Sequence, residues 1–167
     1  MPTDQPFQKI LATAAGVLLA GVLLAAPALA ATEQTREGYV AQVEPICKAN
    51  TKANEKILAG VRREIKQGKL KLAGGRFGRA ATAFGKAVGQ IRAIPQPSAD
   101  RSRLAKWLGY LDKETALLRE ISEALKAGKK HRVQALSVRL TQNGNLTNDT
   151  VLGFGFNYCL IKQSRFT

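Results

Sequence analysis

The residues of this sequence whose types and spacing could do chemistry are few: two cysteines, one histidine, a scatter of carboxylates and a large excess of lysine and arginine. Cys47 and Cys159 stand far apart, with neither a C-x-x-C spacing nor a histidine cluster beside them, so they point to one structural disulfide rather than to metal or thiol chemistry. His131, in "KKHR", is the one histidine that could do acid–base work. No carboxylate orients it locally, and it reads as a solvent-facing loop residue. No G-x-S-x-G elbow is present, and Glu33, Glu37 and Glu44 have no partnering histidine. The expectation is therefore a protein with no catalytic residue, no bound metal and no cofactor, and not an enzyme.

The basic residues are the strongest functional lead, within a formal net charge of +14. Arg62, Arg63, Lys66, Lys69, Lys71, Arg76 and Arg79 surround one expected connection, with Glu64 the acid among them. Lys126, Lys129, Lys130 and Arg132 surround another. Charge of this density attracts polyanions or anionic surfaces and makes copies repel one another. Apart from Phe77, no aromatic residue interleaves as a stacking surface for single-stranded nucleic acid would require.

These side chains must be positioned by helices. Between the turn signals "KLKLAGGR", "IPQPSAD" and "KAGKK", apolar residues recur every three or four positions, which predicts four helices in an all-α, up-down-up-down four-helix bundle. The first carries Val43, Cys47, Ile57, Leu58, Val61 and Ile65, with Pro45 inside it. The second carries Phe77, Ala81, Phe84, Val88 and Ile91, with Gly78, Gly85 and Gly89 on a neighbouring face. Glycines there cost helix stability, so a close helix approach is their expected compensation. The third runs from an N-cap at Ser98 through Leu104, Trp107, Leu108, Leu111, Leu118, Ile121 and Leu125. The fourth starts at Val133, Leu136 and Leu140 and meets a turn signal at "NGN" around Gly144.

In such a bundle the two basic clusters meet at one end, and the first and fourth helices are neighbours. Counting 1.5 Å per residue puts Asn54 level with Asn143 and Asn50 level with Thr147, which predicts a polar layer between those helices. It reads either as a hydrogen-bonded seam or as a small-ligand pocket. The same count leaves Cys47 and Cys159 about 14 Å out of level if the fourth helix is unbroken. Gly153 and Gly155 in "VLGFGFNYC" remove the conflict by ending the helix and turning the chain back, so that Phe154, Phe156 and Tyr158 plug the open end. The rival reading, a short strand, has no evident pairing partner.

The first residues set the compartment. Lys9 precedes an apolar run from Ile10 to Ala26, and "APALAA" offers Ala28 and Ala30 as an A-x-A cleavage site. Residues 1–30 read as a signal peptide and 31–167 as one helical domain in a secreted or extracytoplasmic protein, with no transmembrane segment after cleavage. If the leader is retained, residues 10–31 are long enough to anchor the chain in a membrane.

"GYVAQVEPIC", "IRAIPQP", a Leu-rich helix ending in "KAGK", and "GFGFNYC" together resemble a set of small exported actinobacterial helical proteins of unassigned function with one cysteine pair. The resemblance implies export and a helical fold and carries no catalytic residue across. The leading expectation is a non-enzymatic exported bundle whose basic end binds anionic envelope polymer or lipid headgroups. The alternatives are a small-ligand or enzymatic module using the polar layer, and a nucleic-acid-binding protein, against which export argues.

Overall fold

The structure, a computed structural model, describes residues 33–162. The expected leader and its cleavage site lie outside the described residues. Among the described residues the protein is all-helical: α1 (Arg36–Leu58), α2 (Val61–Lys66), α3 (Leu70–Arg92), α4 (Arg101–Lys126) and α5 (Lys130–Thr150), with a 3₁₀ turn at Ser98–Asp100. Four are long; α2 is a single short segment. The disulfide Cys47–Cys159 closes the chain, with the two Cα atoms 5.0 Å apart.

Local chemistry sets most boundaries. Thr35 caps α1 by accepting the Gly38 N–H at 3.0 Å. The expected single first helix is broken after Leu58, because Gly60 takes a left-handed φ of 80° and restarts the chain as α2, carrying Val61 and Ile65 on a separate axis. The α2 and α4 C-termini stop in the same way. Gly68 and Gly128 are left-handed, and the following N–H, of Lys69 or Lys129, returns to Glu64 O or Ala124 O at 2.9 Å in each case. The turn is thus at Gly68, and "KLKLAGGR" is almost wholly helical.

Two further expectations change. Ser98 does not cap the third long helix; it opens the 3₁₀ turn and its hydroxyl donates to Glu33. Asp100, which does precede α4, makes no capping bond, since its carboxylate is taken by Arg36 in a two-bond pair of 2.6 and 2.7 Å. Hydrogen bonding from that guanidinium holds the Asp100 carboxyl below the usual carboxylate range. At "NGN" the helix wins: α5 runs unbroken through Gly144, which is buried. Flanking helix supplies what the local turn propensity lacks.

The core is in two parts. One cluster gathers Tyr39, Val43 and Cys47 of α1, Val88 and Ile91 of α3, Leu104 to Leu111 of α4, and Val151, Phe154, Phe156 and Cys159 of the tail. The other gathers Leu58, Val61, Ala73, Ala80, Leu117 to Leu125 and Leu136. Between Leu111 and Leu117, α4 buries Glu114 and Thr115 instead.

Helix α1 packs on α3, α3 on α4, and α4 on α5. The α3–α4 contact is close because Gly74, Gly78 and Gly85 face α4. A Cβ at Gly74 would lie 2.8 Å from Ser122 O and 2.8 Å from Lys126 Cγ, and the Ser122 hydroxyl donates to Gly74 O at 2.7 Å. Gly78 and Gly85 act as the pattern implies. Gly89 does not: nothing lies within 4 Å of a Cβ there. No extensive packing joins α1 to α5, and that side of the protein carries the site.

Candidate functional site

The tail forms the site's upper wall. After Thr150, Gly153 and Gly155 adopt φ of 86° and 81°, and the chain folds back toward α1 without making a strand. Phe156 stacks on Trp107 with ring centroids 5.4 Å apart, and Phe154 stacks on Phe156 at 5.7 Å. Both phenylalanines are buried, while Tyr158 is half-buried with Lys48 Nζ 5.1 Å from its ring centroid. The Glu44 carboxylate collects the backbone N–H groups of Asn157 at 2.8 Å, Tyr158 at 3.0 Å and Cys159 at 3.4 Å. Asn148 grips the strap's far end both ways: its Nδ2 donates to Ile161 O at 3.0 Å, and its Oδ1 accepts from Ile161 N at 2.8 Å. These polar contacts use the tail's otherwise orphaned backbone groups. Sequence reasoning weighed Glu44 only as a metal ligand and missed this role.

Below that strap, between α1 and α5, lies a cavity of about 210 Å³. Its floor comes from α3 and α4, including Phe77, Phe84, Val88, Trp107, Leu111 and Leu118. Its sides are Cys47, Asn50, Thr51 and Asn54 of α1, Ser137, Leu140 and Thr141 of α5, and Tyr158 to Lys162 of the tail. The volume exceeds the ~150 Å³ that suffices for an apolar cavity to hold benzene.

One ionisable group stands inside that apolar setting. Glu114 lines the cavity with only 5% of its surface exposed. Asn143 Nδ2 donates to its Oε2 at 2.7 Å and to Tyr110 O at 3.0 Å. Desolvation raises the Glu114 carboxyl to about 7, against the smaller opposing pull of the Asn143 hydrogen bond. The other two buried carboxylates are neutralised: Glu64 by Arg76 at 2.9 Å and Asp100 by Arg36. Glu114 has no cation within ion-pair distance among the described residues. A signal for it was present, since Glu114 falls on the α4 stripe three residues after Leu111 and four before Leu118.

The expected polar layer is divided between α1 and the α4–α5 contact. Asn54 Nδ2 donates to Asn50 Oδ1 at 3.0 Å within α1, Asn143 turns to α4, and the Thr147 hydroxyl returns to Asn143 O at 2.8 Å within α5. No hydrogen bond among these four residues crosses from α1 to α5, because the cavity occupies the space between them. Asn54 and Asn143 each keep a buried Oδ1 that accepts no hydrogen bond.

A comparison with known protein families, with curated proteins and with solved structures finds no match. The site therefore has to be read from its own geometry.

At the opposite end the two basic segments meet. Helix α2 packs on α3, and the Gly74 contact with Lys126 sets the start of α3 beside the end of α4. Three of the expected anion-binding residues are committed elsewhere. Arg76 holds Glu64 and donates to Ile57 O at 3.0 Å, Arg132 pairs with Glu120 at 2.7 Å, and Lys126 pairs with Glu123 at 2.9 Å. Arg62, Arg63, Lys66, Lys69, Lys71, Arg79, Lys129 and Lys130 form no ion pair among the described residues. His131 lies in the first turn of α5, exposed. Among the described residues no group of histidine, cysteine and carboxylate side chains could hold a metal ion, and no helix is long and apolar enough to cross a membrane.

Proposed function

We propose that this is a non-enzymatic, exported helical-bundle protein that binds a small, largely apolar molecule in the cavity between α1 and α5. The carrying observation is the cavity itself: about 210 Å³, floored by aromatic and aliphatic side chains and walled by a strap that a disulfide and the Glu44 carboxylate hold in place. A preformed apolar space with a few convergent polar groups is what small-molecule sites are built from. The alternation of the two core clusters, in which the C-terminal part of α1 meets the N-terminal part of α3 and the C-terminal part of α4, supports an up-down-up-down course for the long helices. The disulfide agrees with an oxidising, extracytoplasmic location.

Trp107, the chain's single tryptophan, lines the cavity and reports on it. Titration with hexan-1-ol should change its fluorescence saturably in the wild type. Ala87→Leu, which places three more carbons in the cavity, should weaken that response at least tenfold while far-ultraviolet circular dichroism stays unchanged. An unsaturable response, or one indifferent to Ala87→Leu, defeats the reading.

A second reading keeps the basic end as a surface for anionic envelope polymer or lipid headgroups. It is favoured by the convergence of the α2–α3 and α4–α5 segments at one end. Reversing Arg62, Arg63 and Lys66 to glutamate should weaken binding to an anionic polymer more than the equal charge change of reversing Arg101, Arg103 and Lys106. Equal losses at 0.1 M salt, where the Debye length is about 10 Å, would mean that net charge alone matters.

A further inference from the structure

We infer that the cavity selects a primary amine carried on a short apolar body, with Glu114 and Asn54 receiving its N–H groups. The inference rests on the ligand-binding reading above and adds the chemistry of the ligand. Two independent features carry it. Glu114 is a buried carboxyl group that lines an apolar cavity and has a single donor, Asn143, and no cation. Asn54 of α1, 3% exposed, also lines the cavity and keeps an Oδ1 that accepts nothing.

Glu114 has one hydrogen-bond donor and Asn54 Oδ1 has none. Asn50 accepts the Asn54 amide through its Oδ1, and its own Nδ2 makes no bond to Asn54 Oδ1. A carboxylate held away from water is costly unless a charged or hydrogen-bonding partner arrives with the ligand. An ammonium group brings three donors and the compensating charge, while its alkyl body replaces water against Phe84, Leu111 and Leu140. Trp107 Nε1, the one buried donor without a partner in the lining, stands seven residues from Glu114 on α4, about 10 Å along the axis, and does not answer the acceptors at the Glu114 level. Besides Glu114, the only charged side chain lining the cavity among the described residues is Lys162, which is exposed on the tail. It favours an anionic head at the mouth and so defines the competing outcome.

The deciding experiment compares three ligands of equal chain length, hexylamine, hexan-1-ol and hexanoate, by calorimetry and Trp107 fluorescence at pH 8 and 0.1 M salt. An alkylamine resembles a lysine side chain, with a pKa of about 10.4, and is charged there. Hydrogen bonds to charged partners being the stronger kind, hexylamine should bind at least about tenfold more tightly than hexan-1-ol, and hexanoate most weakly. Glu114→Gln should bring amine and alcohol within about twofold of each other, and Asn54→Ala should reduce the preference for the amine. If all three bind alike, or hexanoate leads, the amine inference fails while the cavity remains a ligand site. If none binds, both fail. The wild-type series decides the matter even if a variant does not fold.

Discussion

The α3–α4 seam and the α1–α5 side are made from helices of similar length, and they differ in what stands at the contact positions. On α3, Gly74, Gly78 and Gly85 face α4, so the backbones close until Ser122 bonds directly to Gly74 O. On α1 and α5 the corresponding positions are Asn50, Asn54, Ser137 and Thr141, too small and polar to fill the interval with hydrocarbon, and a cavity remains. What joins that side is not helix packing but a strap from the chain's end, fixed by one covalent bond and by carboxylate and amide clamps. Small residues thus close one seam and open the other: a missing side chain admits a partner backbone only where the polar groups are satisfied by it.

Breaking the open side should have the largest effect. Replacing Cys47 and Cys159 together by serine removes a cross-link spanning 112 residues, and should lower unfolding stability by about 4 to 5 kcal/mol in the chain-entropy account, read from urea denaturation. Helical circular dichroism in water should persist, since both core clusters hold most of their apolar members without the bond. The next effect is electrostatic. Burial lifts the Glu114 carboxyl from 4.5 to about 7, so between those pH values the folded chain holds a proton that the unfolded chain has released. Stability is therefore lost as pH rises through that window, by up to about 3 kcal/mol. Glu114→Gln, which stays neutral, should be more stable than the wild type above pH 7, and the difference should vanish below pH 4.5; a gap independent of pH would remove Glu114 as its source.

The close seam sharpens the contrast at smaller cost. Gly74→Ala sets a methyl group 2.8 Å from Ser122 O, a backbone atom, and should destabilise by about 1 to 3 kcal/mol in thermal melts. Gly89→Ala lies on the same helix with no neighbour within 4 Å, and should stabilise by up to about 1 kcal/mol through helix propensity alone. If both alanines destabilise equally, the seam is not held by close approach.

Helix periodicity made the long helices legible and a glycine pair the returning tail, because both act locally, while the cysteine pairing followed from there being two cysteines in the sequence. Gly60 was hidden: a single left-handed glycine inside a continuing apolar stripe looks like helix until packing on α3 decides where the chain turns. The polar layer was legible by level and misread by direction. Axial counting places Asn54 and Asn143 at one height but says nothing of the gap between their helices, which depends on how α3 and α4 spread them. Glu114 escaped notice for a related reason, since a carboxylate on an apolar stripe is recognised as unpaired only once every neighbour is known. The basic residues were legible as two runs that converge, whereas the diversion of Arg76, Lys126 and Arg132 to carboxylates was not, because their partners are twelve residues away or on the exposed face of the same turn.

The position of the disulfide also bears on how the molecule comes into being. Cys47 emerges from the ribosome 112 residues before its partner, roughly 6 to 20 s at ordinary synthesis rates, and with no other cysteine in the chain it cannot mispair within its own molecule. A wrong bond would have to be made with another molecule, a second copy among them. The chain's excess of positive charge makes copies repel one another, so the charge that suggests a binding surface also disfavours a disulfide between copies.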